Sequence, residues 1–312
     1  MTYQKGNQKN LLVVGTVAID SVKTPFGEAE SVLGGSATYF SVSASYFAGI
    51  RLVAVIGKDF PAEYMKMFEK HEIDTKGLVK ADGQTFRWRG TYGYDLNVAK
   101  TLDTQLNVLM QFDPQLDEEQ RKTPFVFLGN IDPDLQIKVI KQLKGPKLIA
   151  LDSMNYWIET KKESLKKAIE MVDLVVVNEM EARELTGCSS LIKAGRAIRK
   201  MGPKTVIIKQ GEYGSIALYG DEIFSAPAFP LEDVYDPTGA GDTFAGGVMG
   251  YIARRGEVSG DIIRQAMIVG SALASYNVEA FSLNKLTSLS MHNIVDRYND
   301  IKRLTAFEDL VH

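Results

Sequence analysis

The chain has 312 residues, 45% of them hydrophobic, with 36 Lys+Arg against 39 Asp+Glu and a formal net charge of −3. That apolar share can fill one large α/β domain or two, while the near balance of charge leaves no basic footprint for nucleic acid or an anionic membrane. A single cysteine, Cys188, excludes an intramolecular disulfide framework. Small molecules are therefore the expected partners. Residues 1–10 are polar and the apolar run 11–14 is too short for a signal peptide or a membrane span, so a cytoplasmic protein is expected.

In chain order, Leu11-Leu12-Val13-Val14-Gly15 is a β-branched run closed by glycine, the pattern of a buried parallel strand. Asp20 lies just past its carboxyl end, where open α/β sheets place ligands and where aspartate also makes ordinary turns. Gly34-Gly35-Ser36 opens a small-residue helix running to about Phe47, with Gly49 as its stop. Paired glycines there let either a ligand or the sheet approach the backbone closely. Residues 51–57 read as the next strand, and a helix from Asp59 ends near His71. Residues 85–94 alternate and are rich in aromatics, which puts Arg87 and Arg89 on one face and Phe86, Trp88 and Gly90 on the other.

Further on, strands at 125–129, 147–152, 174–178 and 205–209 alternate with helices at about 134–143, 161–171, 179–185 and 191–201. This βαβ rhythm predicts an α/β fold with a doubly wound, mostly parallel sheet and helices on both faces. Polar residues close several of these strands. Asn130 with Asp132, and Asp152 with Asn155, stand where such sheets place chemistry, and of the two readings that of ordinary helix caps is preferred. Lys209-Gln210-Gly211-Glu212-Tyr213-Gly214 is a Gly-x-x-Gly turn leading into a hairpin at 215–219, and 223–230 reads as a proline-limited edge strand. Helices at 243–254 and 261–276 follow, the second carrying small residues suited to helix packing and ending at Asn277.

Between them and the hairpin lies Asp236-Pro237-Thr238-Gly239-Ala240-Gly241-Asp242. Glycines flanking an alanine before a helix let successive N–H groups converge on one point, an anion site reinforced by the helix's positive end. A carboxylate beside a phosphate is repulsive unless it has a role. Asp242 is either a helix cap or a general base that takes a hydroxyl proton during phosphoryl transfer.

Residues 236–249 resemble the C-terminal motif of the PfkB, or ribokinase-like, carbohydrate kinases, which include ribokinase, fructokinases and adenosine kinase. The resemblance implies Asp242 as catalytic base and the backbone of Gly239, Ala240 and Gly241 as anion hole. Asn178 and Glu181 match the family's Asn-x-x-Glu motif, which implies Mg2+, held through water by Glu181, and the phosphates of ATP. Lys209, Gly211, Gly214, Thr238 and Asn277 become candidate ATP contacts, and Asp236 a candidate neighbour of a K+ ion. Gly34 and Gly35 belong to a partial match to the N-terminal motif, with Asp20 at the position that bonds sugar hydroxyls. Tyr39 stands where the family usually has an asparagine, exchanging an amide for a stacking face. The family fold also implies one kinase domain over 1–312 with an inserted β lid at about 17–33 and 85–112. Arg87 or Arg89 would reach the substrate or a phosphate from the lid, or lie on a solvated strand face or at a dimer contact, and pairing of two lids in a homodimer would be one way to cover the aromatic face.

The expected activity is transfer of the ATP γ-phosphate to a hydroxyl of a small sugar-containing acceptor. Asp20 with aromatic neighbours favours a ribonucleoside over a free sugar. A ribose or fructose kinase, a hydroxymethylpyrimidine-type kinase and a catalytically silent sensor are the alternatives.

Overall fold

The computed structural model describes residues 9–310, so the polar segment that suggests a cytoplasmic protein lies, up to residue 8, outside the described residues. Among those described, no helix is long and apolar enough to cross a membrane. The strands are β1 (Lys9–Val14), β2 (Ala18–Thr24), β3 (Gly27–Gly34), β4 (Gly49–Ile56), β5 (Asp74–Lys80), β6 (Phe86–Tyr92), β7 (Ala99–Gln105), β8 (Phe125–Leu128), β9 (Leu148–Asp152), β10 (Leu174–Asn178), β11 (Thr205–Lys209), β12 (Ser215–Tyr219) and β13 (Glu222–Ala226). The helices are α1 (Ser36–Ser45), α2 (Ala62–Lys70), α3 (Glu118–Arg121), α4 (Pro133–Ile140), α5 (Asn155–Thr160), α6 (Lys162–Glu170), α7 (Glu179–Thr186), α8 (Leu191–Arg199), α9 (Ala240–Arg255), α10 (Gly260–Asn277) and α11 (Met291–Leu304).

Nine strands form one sheet in the order β13-β12-β11-β10-β9-β8-β1-β4-β5. From β11 to β5 every neighbouring pair is parallel, and the antiparallel pairs, β11 with β12 and β12 with β13, lie at one edge. Alternation along the buried strands divides the core into two layers. Leu11 and Val13 face the side of α1, α9 and α10, whereas Leu12 and Val14 face the side of α6, α7 and α8. The chain leaves β1 for β4 on one side and reaches β8 on the other, so the strand order reverses there, and the crevice beyond the carboxyl ends is the position where such sheets take ligands.

Helix α1 starts beside this crevice, with the Ala37 N–H on the Thr16 carbonyl just past β1 at 2.9 Å, and packs on the sheet face, with Phe40 stacked on Phe127 of β8 at 4.1 Å between ring centroids. It crosses α9 closely because α9 presents glycines: a Cβ on Gly246 would lie 2.5 Å from the Phe40 carbonyl oxygen, and one on Gly250 would lie 2.9 Å from the Ala44 backbone. Gly247 of α9 meets Gly270 of α10 in the same way, at 2.9 Å. The small residues of α10 thus serve helix packing.

A separate four-stranded sheet, β3-β2-β6-β7, forms the lid. β2 and β6 pair in parallel, with Ala18 opposite Phe86, Asp20 opposite Trp88 and Val22 opposite Gly90, which places Phe86, Trp88 and Gly90 on the face that carries Asp20.

Candidate active site

Helix α9 begins without a side-chain cap. Its N-cap, Gly239, has φ 73° and ψ 2°, a left-handed conformation costing any other residue roughly 1–2 kcal/mol. A Cβ there would also lie 2.4 Å from the ring of Tyr39, so bulk and backbone both require glycine. The N–H of Ala240 turns back to the Pro237 carbonyl at 3.1 Å. Those of Gly241 and Asp242 stand in the first turn, where a helix offers no acceptor of its own. They form, with the helix's positive end, an anion-binding corner. Buried side chains fix the approach to it. Asp236 accepts the N–H of Thr238 at 2.9 Å and that of Ser282 at 3.0 Å, and fully buried Asn277 donates to the Thr238 carbonyl at 2.9 Å.

Charged groups converge on this corner from neighbouring strand ends. Lys209, closing β11, puts its Nζ 3.0 Å from where a Gly241 Cβ would be and 3.0 Å from Oδ2 of Asp152, which closes β9. Glu181, buried at the start of α7, is held by Asn178: its Oε2 accepts the Asn178 N–H and its Oε1 the Asn178 Nδ2, both at 2.7 Å. Burial and the charge of Asp152 push the half-buried Asp242 carboxyl up to about 7, with Lys209 pulling against them. Burial and Asp152 likewise push the Glu181 carboxyl up. Burial opposes the charge on Lys209, but Asp152, Glu181 and Asp242 outweigh it and hold the ammonium above its ordinary range. A carboxyl that titrates near neutrality, beside a corner that binds anions, has the protonation behaviour a general base needs.

Across the crevice, Asp20 projects from β2 against the first of the paired glycines: a Cβ on Gly34 would lie 1.8 Å from its Oδ2. Oδ1 of Asp20 is buried without a protein partner. Burial, with the charges of Asp236 and Asp242, lifts its carboxyl to about 7 despite the Gly35 N–H. An orphaned buried acceptor of this kind costs about 1–3 kcal/mol unless a ligand donor meets it. The lid comes down on the same corner. Thr238 Oγ1 and the Tyr92 hydroxyl, at the end of β6, are 3.3 Å apart, and Asn97 lies against Gly211 so tightly that a Cβ there would be 1.9 Å from its Oδ1.

The profile of the pfkB family carbohydrate kinases matches residues 127–288, a span that runs from β8 through the glycine corner. The chain is 30% identical over 250 residues to a cytidine kinase of Thermococcus kodakarensis, covering 78% of this chain and 89% of that protein. The chain belongs to the pfkB family of carbohydrate kinases. This PfkB-family kinase also shares its fold with the Burkholderia thailandensis nucleoside kinase solved in complex with inosine, at a TM-score of 0.76 and 18% identity over 93% of this chain and 97% of the other. With the Thermotoga maritima ribokinase the TM-score is 0.73 at 19% identity, over 94% of this chain and the whole of the other. The fold is ribokinase-like, and family membership implies ATP as the phosphoryl donor.

Within the PfkB-family kinase, Gly239, Ala240, Gly241 and Asp242 share the corner with Lys209, Glu181 and Thr238, and Asp20, Gly34 and Gly35 stand opposite. Two expectations need correction. Arg87 does not reach toward the crevice; it pairs with Asp59 at 2.7 Å, and Asp59 also holds the Thr85 N–H, also at 2.7 Å, which ties the start of β6 to the main sheet. Tyr39 offers no open stacking face, because it is 2% exposed and packs under Gly239. Asn277, fully buried, braces the Thr238 carbonyl through its Nδ2, while its Oδ1 is left without a protein partner. Phe86 and Trp88 turn to the side of Asp20.

Asp152 has the sequence pattern of a cap and is none: α5 starts after Met154 with no side-chain cap, while Asp152 pairs with Lys209. The sequence does hold a signal for this. Asp152 and Lys209 each close an apolar strand of one parallel sheet, so both charges arrive at the same edge.

Proposed function

We propose that the protein phosphorylates the 5'-hydroxyl of a ribonucleoside, with the ATP γ-phosphate over Gly239–Gly241 and the ribose between Asp20 and the lid. The observation that carries this reading is the pairing of Asp242, which titrates near 7 beside the anion corner, with the orphaned Oδ1 of Asp20 across the crevice. Asp20 accepts a ribose hydroxyl and fixes the sugar. Asp242 takes the proton of the attacking hydroxyl, and the N–H groups of Gly241 and Asp242 with the Lys209 ammonium stabilise the charge that builds on the phosphoryl oxygens. Gly211 and Gly214 bend the turn that borders the nucleotide, with φ 56° and 95°.

Glu181 suits a magnesium ion held through water. Its two oxygens are fixed in direction by Asn178, and among the described residues no group of three or more His, Cys, Asp or Glu could hold a metal alone. Magnesium takes few protein ligands and keeps its waters; when bound it would neutralise phosphate charge. Asp236 ties the two loops that would flank a K+ ion, and each of its oxygens already accepts a backbone N–H. For a homodimer, the lid offers β3 and β7 as unpaired edges, with Val98 exposed just before β7 and Leu102 exposed within it.

The nucleoside rather than the free sugar is favoured by Phe86 and Trp88, two aromatic residues on the lid face that carries Asp20. The cytidine kinase relative and the inosine-bound structural neighbour point the same way. Purified protein with Mg–ATP is to be compared on cytidine, adenosine, inosine, ribose and fructose by ADP release. A nucleoside should show the highest kcat/KM; a free sugar ahead of all three would overturn the acceptor assignment.

A further inference from the structure

A phosphate site that holds Asp152, Glu181 and Asp242 within Coulomb reach of one another presents a problem of charge. Carboxylates repel phosphate, so each must have a role that outweighs the repulsion. Asp242 and Glu181 have theirs as base and magnesium holder. Asp152 has none by local structure, since it caps no helix. Yet it is 3% exposed and held from two sides. Its Oδ1 accepts the N–H of Ser153 at 2.8 Å. Its own carbonyl accepts Nε2 of Gln136 at 3.0 Å, and that fully buried amide also binds the Gly129 carbonyl at the end of β8.

Only one of its contacts reaches the site: Oδ2 to Lys209 Nζ at 3.0 Å. Lysine is a point charge on a flexible stem and gives up much rotamer freedom when fixed. The other carboxylates within Coulomb reach of this ammonium are Glu181 and Asp242. A lysine that settled on Asp242 would tie up the base.

We propose that Asp152 is a positioning residue, which holds the Lys209 ammonium at the Gly239–Gly241 corner and keeps it off Asp242. The proposal rests on the placement of the ATP phosphates at that corner, but not on the nature of the acceptor. Its test therefore needs no acceptor: affinity for Mg–AMP-PNP is measured by calorimetry for the unaltered protein, Asp152→Asn, Lys209→Gln and the double variant. Each single substitution should weaken binding about tenfold, and the double variant should be no weaker than Lys209→Gln, because Asp152 acts only through the lysine. Asp152→Glu, which keeps the charge, should recover part of the loss. Unchanged or tighter binding in Asp152→Asn, or losses that multiply in the double variant, would overturn the proposal. Should Asp152→Asn not fold, recovery in Asp152→Glu decides: a folded glutamate variant as weak as Lys209→Gln would count against a role for the charge. If the unaltered protein does not bind Mg–AMP-PNP, the phosphate placement itself is wrong and this proposal goes with it.

Discussion

Asp242 owes its basicity to its surroundings more than to its type, since burial and Asp152 hold it near neutrality where an ordinary aspartate would be fully ionised. Asp242→Asn keeps the size and removes the proton acceptor, so kcat should fall by about 10²–10⁴-fold while Mg–ATP affinity changes little; near-normal turnover would end this mechanism. A general base acts as the carboxylate, so on the proposed mechanism kcat/KM of the unaltered enzyme should rise with pH through about 7 and level off above it, as read from initial rates across a pH series. Asp20 is raised in the same way, and its unmet oxygen is a cost carried by the folded protein. Asp20→Asn should lower kcat/KM at least tenfold, by about the worth of one charge-assisted hydrogen bond. The same variant should melt higher than the parent at about pH 7.5, because an amide cannot be a buried unpaired charge. A lower melting point would show that Asp20 stabilises the ligand-free fold instead.

Among the elements, the start of α9 carries the strictest geometry. Gly239→Ala must place a methyl on the Tyr39 ring from a left-handed backbone, so urea unfolding should show a loss of at least roughly 1–2 kcal/mol, together with loss of activity; a neutral result would mean that the corner relaxes freely. This element was legible in the sequence because its glycines, aspartates and following helix lie in one short run. The buried parallel strands were legible for a similar reason: β8, β9, β10 and β11 are continuous apolar stretches with turn residues at their ends. What escaped were elements whose pattern is blunted by exposure. β5, Asp74–Lys80, is a half-exposed edge with two lysines and a glycine, and α11, Met291–Leu304, buries only Ile294 and Ile301 among charged neighbours. At the site, the roles that failed to show were tertiary ones. Neither Asp59 facing Arg87 nor Tyr39 beneath Gly239 is written in local spacing, since each pair meets only when separate strands and helices are brought together.

For the whole molecule, carboxyls raised by folding give a defined dependence of stability on pH. Asp20 and Asp242 have folded values near 7 against an ordinary 3.8, so the folded state binds more protons than the unfolded chain between those limits. Their contribution is most favourable at the acid end of that window and is lost as pH rises through about 7. The ligand-free protein should thus melt higher at about pH 5.5 than at about pH 7.5, and the difference should shrink in the Asp20→Asn and Asp242→Asn variants; an unchanged difference would place the titrating groups elsewhere. The close crossing of α1 and α9 bears on a different matter, the history open to this enzyme. Gly34 and Gly35 lead into one helix, Asp242 opens the other, and glycine against backbone locks the two together. Random mutation along that crossing should mostly yield chains that do not fold, whereas in β6 Phe86 and Trp88 can change without touching the two anchors of the strand, Arg87 to Asp59 and Tyr92 to Thr238. Directed evolution toward a new acceptor should therefore collect its productive changes in the lid, and the catalytic crossing should come through such a campaign untouched.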